Sequence, residues 1–217
     1  MRGLFVTLEG GEGSGKTTVA YEVIKKLTQE GFDVVYTREP GGSPIAEKIR
    51  DLILNPEHTE MDSRTEALLY AAARRQHLIE KVQPALAAGK IVVCDRFIDS
   101  SIVYQGHARE IGVSDVYKIN KFAIEKCLPD ITIFFDIKPS LGLARIAANK
   151  NREINRLDLE EVVFHEKVYE GYLNQMIKEP LRIKAVNATQ SIAAVSHAVY
   201  ELIMKGLKET HRTSSKK

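Results

Sequence analysis

Short apolar runs alternate along the chain with segments in which apolar residues recur every three to four positions. A continuous apolar run of four or five residues is typical of a buried strand, and a 3.6-residue period is typical of a helix with one buried face. The runs predict five strands, at residues 4–8, 33–37, 91–94, 131–135 and 182–186. The helical period predicts helices that begin near residue 16 and then cover about 44–54, 63–82, 100–106, 113–126, 140–148, 160–177 and 192–207.

Strands that alternate with helices indicate an α/β fold, with a five-stranded parallel sheet and helices on both of its faces. Ligands of such sheets bind at the carboxyl ends of the strands. The chain has no repeat, linker or low-complexity segment, so we expect a single domain over residues 1–217. We expect the polar segment at about 149–158 to form a short lid and the basic tail at 208–217 to be frayed.

The composition is that of an ordinary globular protein, with 44% hydrophobic residues, 28% charged residues and a net charge of +2. So small a net charge does not favour a nucleic-acid partner. Cys94 and Cys127 lack metal-binding spacing, and Cys94 falls in an apolar strand, where a buried thiol is expected. Because the chain shows no signal peptide and no apolar run long enough for a membrane, we expect a cytoplasmic protein without a membrane partner.

The stretch after the first predicted strand reads GGEGSGKTT at residues 10–18. Its glycine spacing, followed by Lys16 and Thr17, is the P-loop pattern, and the flanking strand and helix are the context that this motif requires. The glycines allow successive backbone N–H groups to turn inward and form an anion site at the start of the helix. Lys16 would then reach the β- and γ-phosphates, and the Thr17 hydroxyl would bind Mg²⁺. The residues predicted to bind a nucleoside triphosphate are Gly10, Gly11, Glu12, Gly13, Ser14, Gly15, Lys16, Thr17 and Thr18.

Asp95 and Arg96 directly follow the third predicted strand. An aspartate in that position is typical of the acid that holds Mg²⁺ in P-loop proteins, directly or through water. Arg96 offers a planar fork that suits a phosphate. A strand-end aspartate that only caps the next turn is the alternative.

The helix at 100–106 carries four polar side chains within one arc of its surface, and Ile102 and Val103 are expected to face the core. Hydroxyls, a phenol and an amide on one face can recognise a base and a sugar, although a solvated polar face would have the same pattern. An aromatic ring is an unusual choice for idle surface, which favours a ligand. The four residues are Ser100, Ser101, Tyr104 and Gln105.

The long helix at 63–82 is predicted to begin with a capping box, with Ser63 as N-cap and Glu66 three residues later. Further along, Tyr70 and Arg74 are one turn apart on the same face, among alanines and leucines. An aromatic ring beside an arginine can form a nucleobase pocket. A structural tyrosine with an ion-paired arginine is about equally compatible with this helix alone.

Charged residues gather at the loop that follows the second strand, where Arg38 and Arg50 add positive charge and Glu39 adds an acceptor, as Glu12 does in the P-loop. A purely structural ion pair is the alternative for Arg38. The predicted lid at 149–158 follows Arg145 and also contains arginines. Phosphoryl transfer needs positive charge on the transferred group and exclusion of water, and a basic lid provides both. A solvated loop remains the alternative for this segment.

At this point the sequence resembles the thymidylate kinases, specifically the bacterial kind, over residues 3–207. The motifs that carry the resemblance are GGEGSGKTT (10–18), TREPGG (37–42), ALLYAAARRQH (67–77), DRFIDSSIVYQG (95–106) and NREINRLD (151–158). The resemblance implies a P-loop fold of the nucleoside-monophosphate kinase type. It also implies transfer of the γ-phosphoryl group of ATP to dTMP with Mg²⁺, giving dTDP and ADP, in a homodimer.

Carried over by motif, the resemblance implies particular roles. Glu12 is expected to contact the sugar 3′-hydroxyl, Arg74 the thymine O4, and Tyr104 the sugar C2′, which would favour a deoxyribose. Tyr70 is expected to stack on the base, with Ser101 and Gln105 at the base edge. The residues predicted to bind dTMP are Glu12, Arg38, Glu39, Arg50, Tyr70, Arg74, Arg96, Ser100, Ser101, Tyr104 and Gln105. Arg145 joins the predicted ATP site, and the predicted metal ligands are Thr17, Asp95 and Glu39.

The P-loop has no basic residue at positions 11–14. In the bacterial type that the sequence resembles, the catalytic arginine comes from the lid, which here indicates Arg152 or Arg156. The residues predicted to act in catalysis are Lys16, Asp95, Arg96, Arg152 and Arg156.

Three other functions are compatible with a P-loop. A nucleoside-monophosphate kinase for another base would differ in the pocket around Tyr70, Arg74 and Gln105. A GTP-binding switch is disfavoured because the chain has no Asn-Lys-x-Asp motif and no Asp-x-x-Gly after a strand. A catalytically silent nucleotide-binding module is disfavoured because Lys16, Thr17, Asp95 and Arg96 are all present.

Overall fold

A computed structural model of the chain describes residues 2–148 and 156–214. Its sheet has five parallel strands in the order β2-β3-β1-β4-β5. The strands are β1 Phe5–Glu9, β2 Val34–Arg38, β3 Ile91–Asp95, β4 Ile131–Asp136 and β5 Ile183–Asn187. The α-helices are α1 Lys16–Gln29, α2 Pro44–Leu54, α3 Ser63–His77, α4 Gln83–Ala87, α5 Ile98–Ser101, α6 Val113–Ile124, α7 Pro139–Ala148, α8 Val162–Lys178 and α9 Ile192–Ser214. The predicted parallel α/β fold is confirmed.

Helices cover both faces of the sheet. On one face, α1 and α9 pack on the strands in a core that includes Val6, Ile133 and Val199. On the other face, the segment from 78 to 86, α5 and α6 pack around Phe5 and Phe97, and α8 packs on β4 and β5. Because all strands are parallel, the loops that follow β1, β2 and β3 meet along one edge of the sheet.

Each strand ends one residue later than the apolar pattern predicts. The additional residue is polar in every strand and pairs within the sheet all the same, because backbone hydrogen bonding does not require an apolar side chain. These terminal residues are Glu9, Arg38, Asp95, Asp136 and Asn187. Polar side chains are therefore fixed by the sheet at the edge where ligands bind.

Two turns of π-helix interrupt predicted helices, at Leu78–Val82 and Ile102–Ala108. The second follows α5 directly, so the predicted helix at 100–106 is a short α-helix followed by a wider turn. Ile102 and Val103 are nevertheless buried in the core, as predicted. Turns of this kind are frequent at functional sites.

The predicted capping box at the start of α3 is wrong. Asp62 is the N-cap, and its side chain accepts hydrogen bonds from the backbone N–H groups of Arg64 and Thr65. Since Asp62 already caps the helix, the Glu66 side chain turns inward and is buried.

Within the tail predicted at 208–217, α9 continues to Ser214, and residues 215–217 lie outside the described residues. The Thr210 hydroxyl donates to the Gly206 carbonyl one turn earlier, as expected within a continuing helix. None of the helices in the described ranges has the length and apolar character needed to cross a membrane.

Candidate active site

The P-loop lies between β1 and α1, and its geometry requires glycine at Gly13 and Gly15. Gly13 and Gly15 have φ of 69° and 88°, in the left-handed region that residues with a Cβ rarely adopt. A Cβ at Gly13 would lie 2.1 Å from the Gly142 carbonyl oxygen. Gly15 is the N-cap of α1, so the loop places the positive end of that helix at the site.

The Lys16 side chain folds back over the P-loop. Its Nζ donates to the carbonyl oxygens of Gly10 at 2.9 Å and Gly11 at 3.0 Å, and to the Ser14 hydroxyl at 3.1 Å. Burial and the nearby Arg96 lower the pKa of Lys16 to about 8. The ammonium group is thus held at the loop by neutral oxygens.

Thr17 and Asp95 form the pair of oxygen ligands that the sequence predicts for a metal. The Thr17 hydroxyl donates to Asp95 Oδ2 at 2.6 Å, and Asp95 is fixed at the end of β3. A hydroxyl and a carboxylate suit Mg²⁺, which takes oxygen ligands and usually keeps several waters. No cluster of three or more His, Cys, Asp or Glu residues occurs among the residues described, so the remaining ligands would come from phosphate and water.

Glu39, the third predicted metal ligand, has protein partners on both carboxylate oxygens. Oε2 accepts from Arg74 Nε at 2.7 Å, and Oε1 lies 2.8 Å from His77 Nδ1. His77 Nε2 in turn lies 2.7 Å from the Thr37 hydroxyl. Glu39 therefore orients Arg74 in this structure, and the metal-site geometry rests on Thr17 and Asp95.

Arg96 connects the P-loop to the helix that follows β3. Its backbone has φ of 68°, and its guanidinium donates to Glu12 Oε1 at 2.7 Å and to the Tyr104 hydroxyl at 3.0 Å. The Tyr104 hydroxyl donates to Glu12 Oε2 at 2.7 Å. Burial alone would raise the pKa of Glu12, but Arg96 and Lys16 hold it below its usual value. Glu12 is thus a carboxylate at the junction of two sites.

Glu9, the last residue of β1, supports the site from behind and was not singled out from the sequence. Its Oε1 accepts from the backbone N–H groups of Phe97 at 2.8 Å and Ser100 at 3.3 Å. Its Oε2 accepts from the hydroxyls of Ser100 at 2.6 Å and Tyr172 at 2.8 Å. Glu9 therefore holds the backbone that follows Arg96, where the left-handed conformation needs support.

Next to this junction, a smaller pocket brings together most of the residues predicted to bind dTMP. Arg74 is almost fully buried in its wall, where its guanidinium donates to Glu39, Ser101, Asn120 and the Phe97 carbonyl. The side chains that line the pocket are Glu39, Tyr70, Arg74, Arg96, Ser100, Ser101, Tyr104, Gln105 and Leu157. Only Leu157 among them lies outside the prediction.

Arg38 and Arg50, the other predicted acceptor contacts, line the wall of a larger cleft of about 1060 Å³ that also contains the P-loop. Arg38 pairs with Glu47 at 3.2 Å near the surface, and Arg50 donates to the Pro40 carbonyl at 3.0 Å. Both arginines thus line the same cleft as Glu39 and Tyr70, which also line the smaller pocket.

The far end of the cleft is formed by α7 and by the loop after β5. Arg145 donates to the Ala188 carbonyl at 3.0 Å, and Gln190, Ser191 and Ile192 line the same end. The sequence predicted Arg145 but missed the residues after β5. The rule that ligands bind at the carboxyl ends of strands would have found them if applied to the last strand.

Of the two predicted lid arginines, Arg152 lies outside the described residues. Arg156 is buried, its Nε donates to the Ile53 carbonyl at 3.0 Å, and a terminal nitrogen pairs with Glu66. These nitrogens therefore face α2 and α3 instead of the P-loop. The position of Arg156 in this structure thus differs from the catalytic position that was predicted for it.

A P-loop at the end of the central strand, a Thr–Asp pair beside it and a second polar pocket joined through one arginine define a class of protein. These features belong to P-loop kinases that phosphorylate small acceptors.

The chain belongs to the thymidylate kinase family, since a model of that family, described as Thymidylate kinase, matches residues 8–199. It is 59% identical over 212 residues to the thymidylate kinase of Oceanobacillus iheyensis, and the aligned region covers 98% of this chain and 94% of the relative. It is 55% identical over 209 residues to that of Bacillus licheniformis, at 96% and 99% coverage. Among solved structures, thymidylate kinase from Ehrlichia chaffeensis matches with a TM-score of 0.75 and 31% identity, covering 94% of this chain and 99% of that one.

Proposed function

We propose that this protein transfers the γ-phosphoryl group of ATP to dTMP, giving dTDP and ADP. The observation that carries the proposal is the direct connection between the P-loop and the second pocket. Arg96 bonds both Glu12 of the P-loop and Tyr104 of the pocket. Two sites joined by one cation suit a reaction in which a charged group passes from one to the other.

The donor site supports a triphosphate through fixed backbone donors and the Lys16 ammonium group. The inward N–H groups of the loop and the start of α1 suit phosphate oxygens. Lys16 now donates to neutral loop oxygens, and phosphate oxygens are stronger acceptors that would draw its ammonium outward. Bound Mg²⁺, held by Thr17 and Asp95, would neutralise charge on the phosphates.

The acceptor pocket supports a thymine nucleotide through its mixture of ring, donors and acceptors. Tyr70 offers a face for stacking, and Arg74 has only N–H donors, which suit a base carbonyl. Glu12 is an acceptor for a sugar hydroxyl. Tyr104 is held rigidly between Arg96 and Glu12, so its ring restricts the space beside the sugar.

Catalysis in this proposal rests on positioning and charge neutralisation. Arg96 is the cation between donor and acceptor, and Arg38 and Arg50 add positive charge beside the acceptor. A lid arginine, for which Arg152 remains the candidate, would add charge to the transferred group. No general base is needed, because charge stabilisation carries most of such reactions.

We also propose that the protein is a cytoplasmic homodimer. Large apolar side chains are exposed on helices that pack on each other: Phe122 on α6 is 87% exposed and Leu68 on α3 is 55% exposed. Cys94 and Cys127 are free thiols, which supports a reducing compartment.

The dimer is tested by light scattering, which should give twice the chain mass for the wild type and the mass of one chain for Phe122→Asp. A monomeric wild-type protein would refute the dimer.

The acceptor is tested by a coupled ADP-release assay with ATP, Mg²⁺ and a panel of monophosphates. We expect dTMP to be preferred over dUMP, dCMP and AMP. Because Tyr104 restricts the space at C2′, dTMP should also exceed ribothymidine monophosphate in kcat/KM by at least about tenfold. Preference for AMP or dCMP would favour the alternative of a kinase for another base, and equal rates with the ribonucleotide would refute the role of Tyr104.

A further inference from the structure

Glu66, in the first turns of α3, has a carboxylate that is shared between two groups of partners. Its side chain is 1% exposed. Oε1 accepts a hydrogen bond from Gln105 Nε2 at 2.8 Å. Oε2 pairs with Arg156 and lies 3.5 Å from a terminal nitrogen of Arg109. One carboxylate oxygen thus serves a pocket residue, and the other serves two cations.

The contact with Glu66 determines which way the Gln105 amide points. A carboxylate only accepts hydrogen bonds, so the NH₂ group of Gln105 must face Glu66. The amide carbonyl then lies on the other side of the group, in a side chain that lines the smaller pocket. Among the described residues, no donor to this carbonyl is present. The pocket wall therefore offers a hydrogen-bond acceptor at Gln105.

Arg74 gives the same pocket the opposite character. A guanidinium has five N–H donors and no acceptor. Four hydrogen bonds to Glu39, Ser101, Asn120 and the Phe97 carbonyl use four of them, and within the described part of the chain one hydrogen on Nη2 is left for a ligand. An acceptor at Gln105 and a donor at Arg74 match an imide edge, in which an N–H lies beside a carbonyl. An aminopyrimidine has a bare ring nitrogen beside an NH₂ group, and so meets the wrong partner at both positions.

We propose that Glu66 is a positioning residue that selects imide bases over aminopyrimidines by fixing the orientation of the Gln105 amide. The proposal rests on the proposed function, since it concerns the base of the acceptor nucleotide. Glu66 does not contact the base itself.

The partners of Glu66 Oε2 show how this buried carboxylate is stabilised. Arg156 is anchored by the Ile53 carbonyl, and Arg109 is anchored by Glu160 and by the ring of Phe164. Two anchored arginines pair with the Glu66 carboxylate, and burial of a charged group is tolerated only with such pairing. The same anchors prevent the carboxylate from turning away from Gln105.

The test is Glu66→Gln, because a glutamine at 66 can donate or accept and no longer dictates the direction of the Gln105 amide. The kcat/KM ratio of dTMP to dCMP should fall about tenfold. The ratio of dTMP to dUMP should not change, because uracil has the same imide edge as thymine. The matched control is Glu160→Gln, which removes a carboxylate from the same arginine cluster but has no contact with Gln105. It should leave both ratios unchanged.

Gln105→Ala provides a second route if Glu66→Gln fails to fold, since it leaves the ion pairs of Glu66 intact. It should lower the dTMP to dCMP ratio to a similar extent, and the double variant should match Gln105→Ala alone. An unchanged dTMP to dCMP ratio in folded Glu66→Gln, an unchanged ratio in Gln105→Ala, or an equal fall in Glu160→Gln would overturn the role of Glu66. Calorimetric binding constants for dTMP and dCMP measure the same preference without turnover. The role of Glu66 can therefore be tested even if the wild-type protein lacks kinase activity. That lack would refute the proposed function alone.

Discussion

Glu9 is a fully buried carboxylate at the end of β1, and its environment sets its chemistry at the scale of a single residue. Burial, and secondarily the charge of Asp99, raise its pKa from 4.5 to about 7. Hydrogen bonds from Ser100 and Tyr172 and the charge of Arg96 act in the opposite direction but do not offset burial. The folded protein therefore binds a proton at Glu9 more tightly than the unfolded chain does.

This shift predicts how stability depends on pH. The contribution of Glu9 to stability is fully present below about pH 4.5 and is lost as the pH rises through about 7. Glu9→Gln cannot titrate, so its stability should fall less between pH 5 and pH 8 than that of the wild type, by on the order of 1–3 kcal/mol. Urea unfolding at the two pH values measures the difference. Parallel pH profiles for the two proteins would show that Glu9 does not titrate in this range.

Single residues also mark the limit of what the sequence could predict in the site. Arg74 and Tyr70 were predicted from their helical spacing, and both line the pocket. Glu66 was assigned to a capping box because sequence spacing does not show that Asp62 takes the cap. The partners of Glu66, at 105 and 156, are far away in sequence, and no local pattern indicates such contacts.

At the scale of elements, α5 is attached to the sheet by an ion pair. Asp99 receives two hydrogen bonds from Arg182, at 2.6 Å and 2.8 Å, and lies 3.1 Å from the Thr132 hydroxyl of β4. The Asp99 side chain is 1% exposed. The pair connects the segment before β5 with the helix that carries Ser100 and Ser101.

Breaking this pair should be costly. Asp99→Asn leaves the Arg182 guanidinium without its charged partner, and we expect a loss of about 3–5 kcal/mol in the free energy of unfolding. Denaturant unfolding measures it. Glu110→Gln, which removes a carboxylate from an exposed pair with Lys167, is the control and should leave stability nearly unchanged. Equal effects of the two substitutions would contradict the structural role of Asp99.

The elements themselves were largely predictable, and the differences have physical causes. Apolar periodicity located every strand of the sheet to within one residue, but it stopped short of the polar residues that complete each strand. The π-helical turn at Ile102–Ala108 was missed because hydrophobic spacing does not reveal a hydrogen bond that spans one more residue. The order of the strands was not predicted, since it depends on pairing between distant segments.

At the scale of the whole molecule, the function follows from how the sheet assembles its strand ends. Glu12 comes from the P-loop, and Arg96 and Tyr104 come from the segment after β3, yet the three form one hydrogen-bonded group between the donor cleft and the acceptor pocket. The sequence predicted each residue, and the fold brings them together. We therefore regard the two pockets as halves of one site for phosphoryl transfer.

The most direct test of this claim follows the transferred group. ATP labelled in its γ-phosphate is incubated with dTMP, Mg²⁺ and either the wild-type protein or Lys16→Ala, which keeps the loop backbone but removes the ammonium group. The wild type should place the label in dTDP, one for each ADP formed, and Lys16→Ala should be slower by at least about a hundredfold while remaining folded. Release of the label as inorganic phosphate at a rate independent of dTMP, or near-normal transfer by Lys16→Ala, would contradict the account.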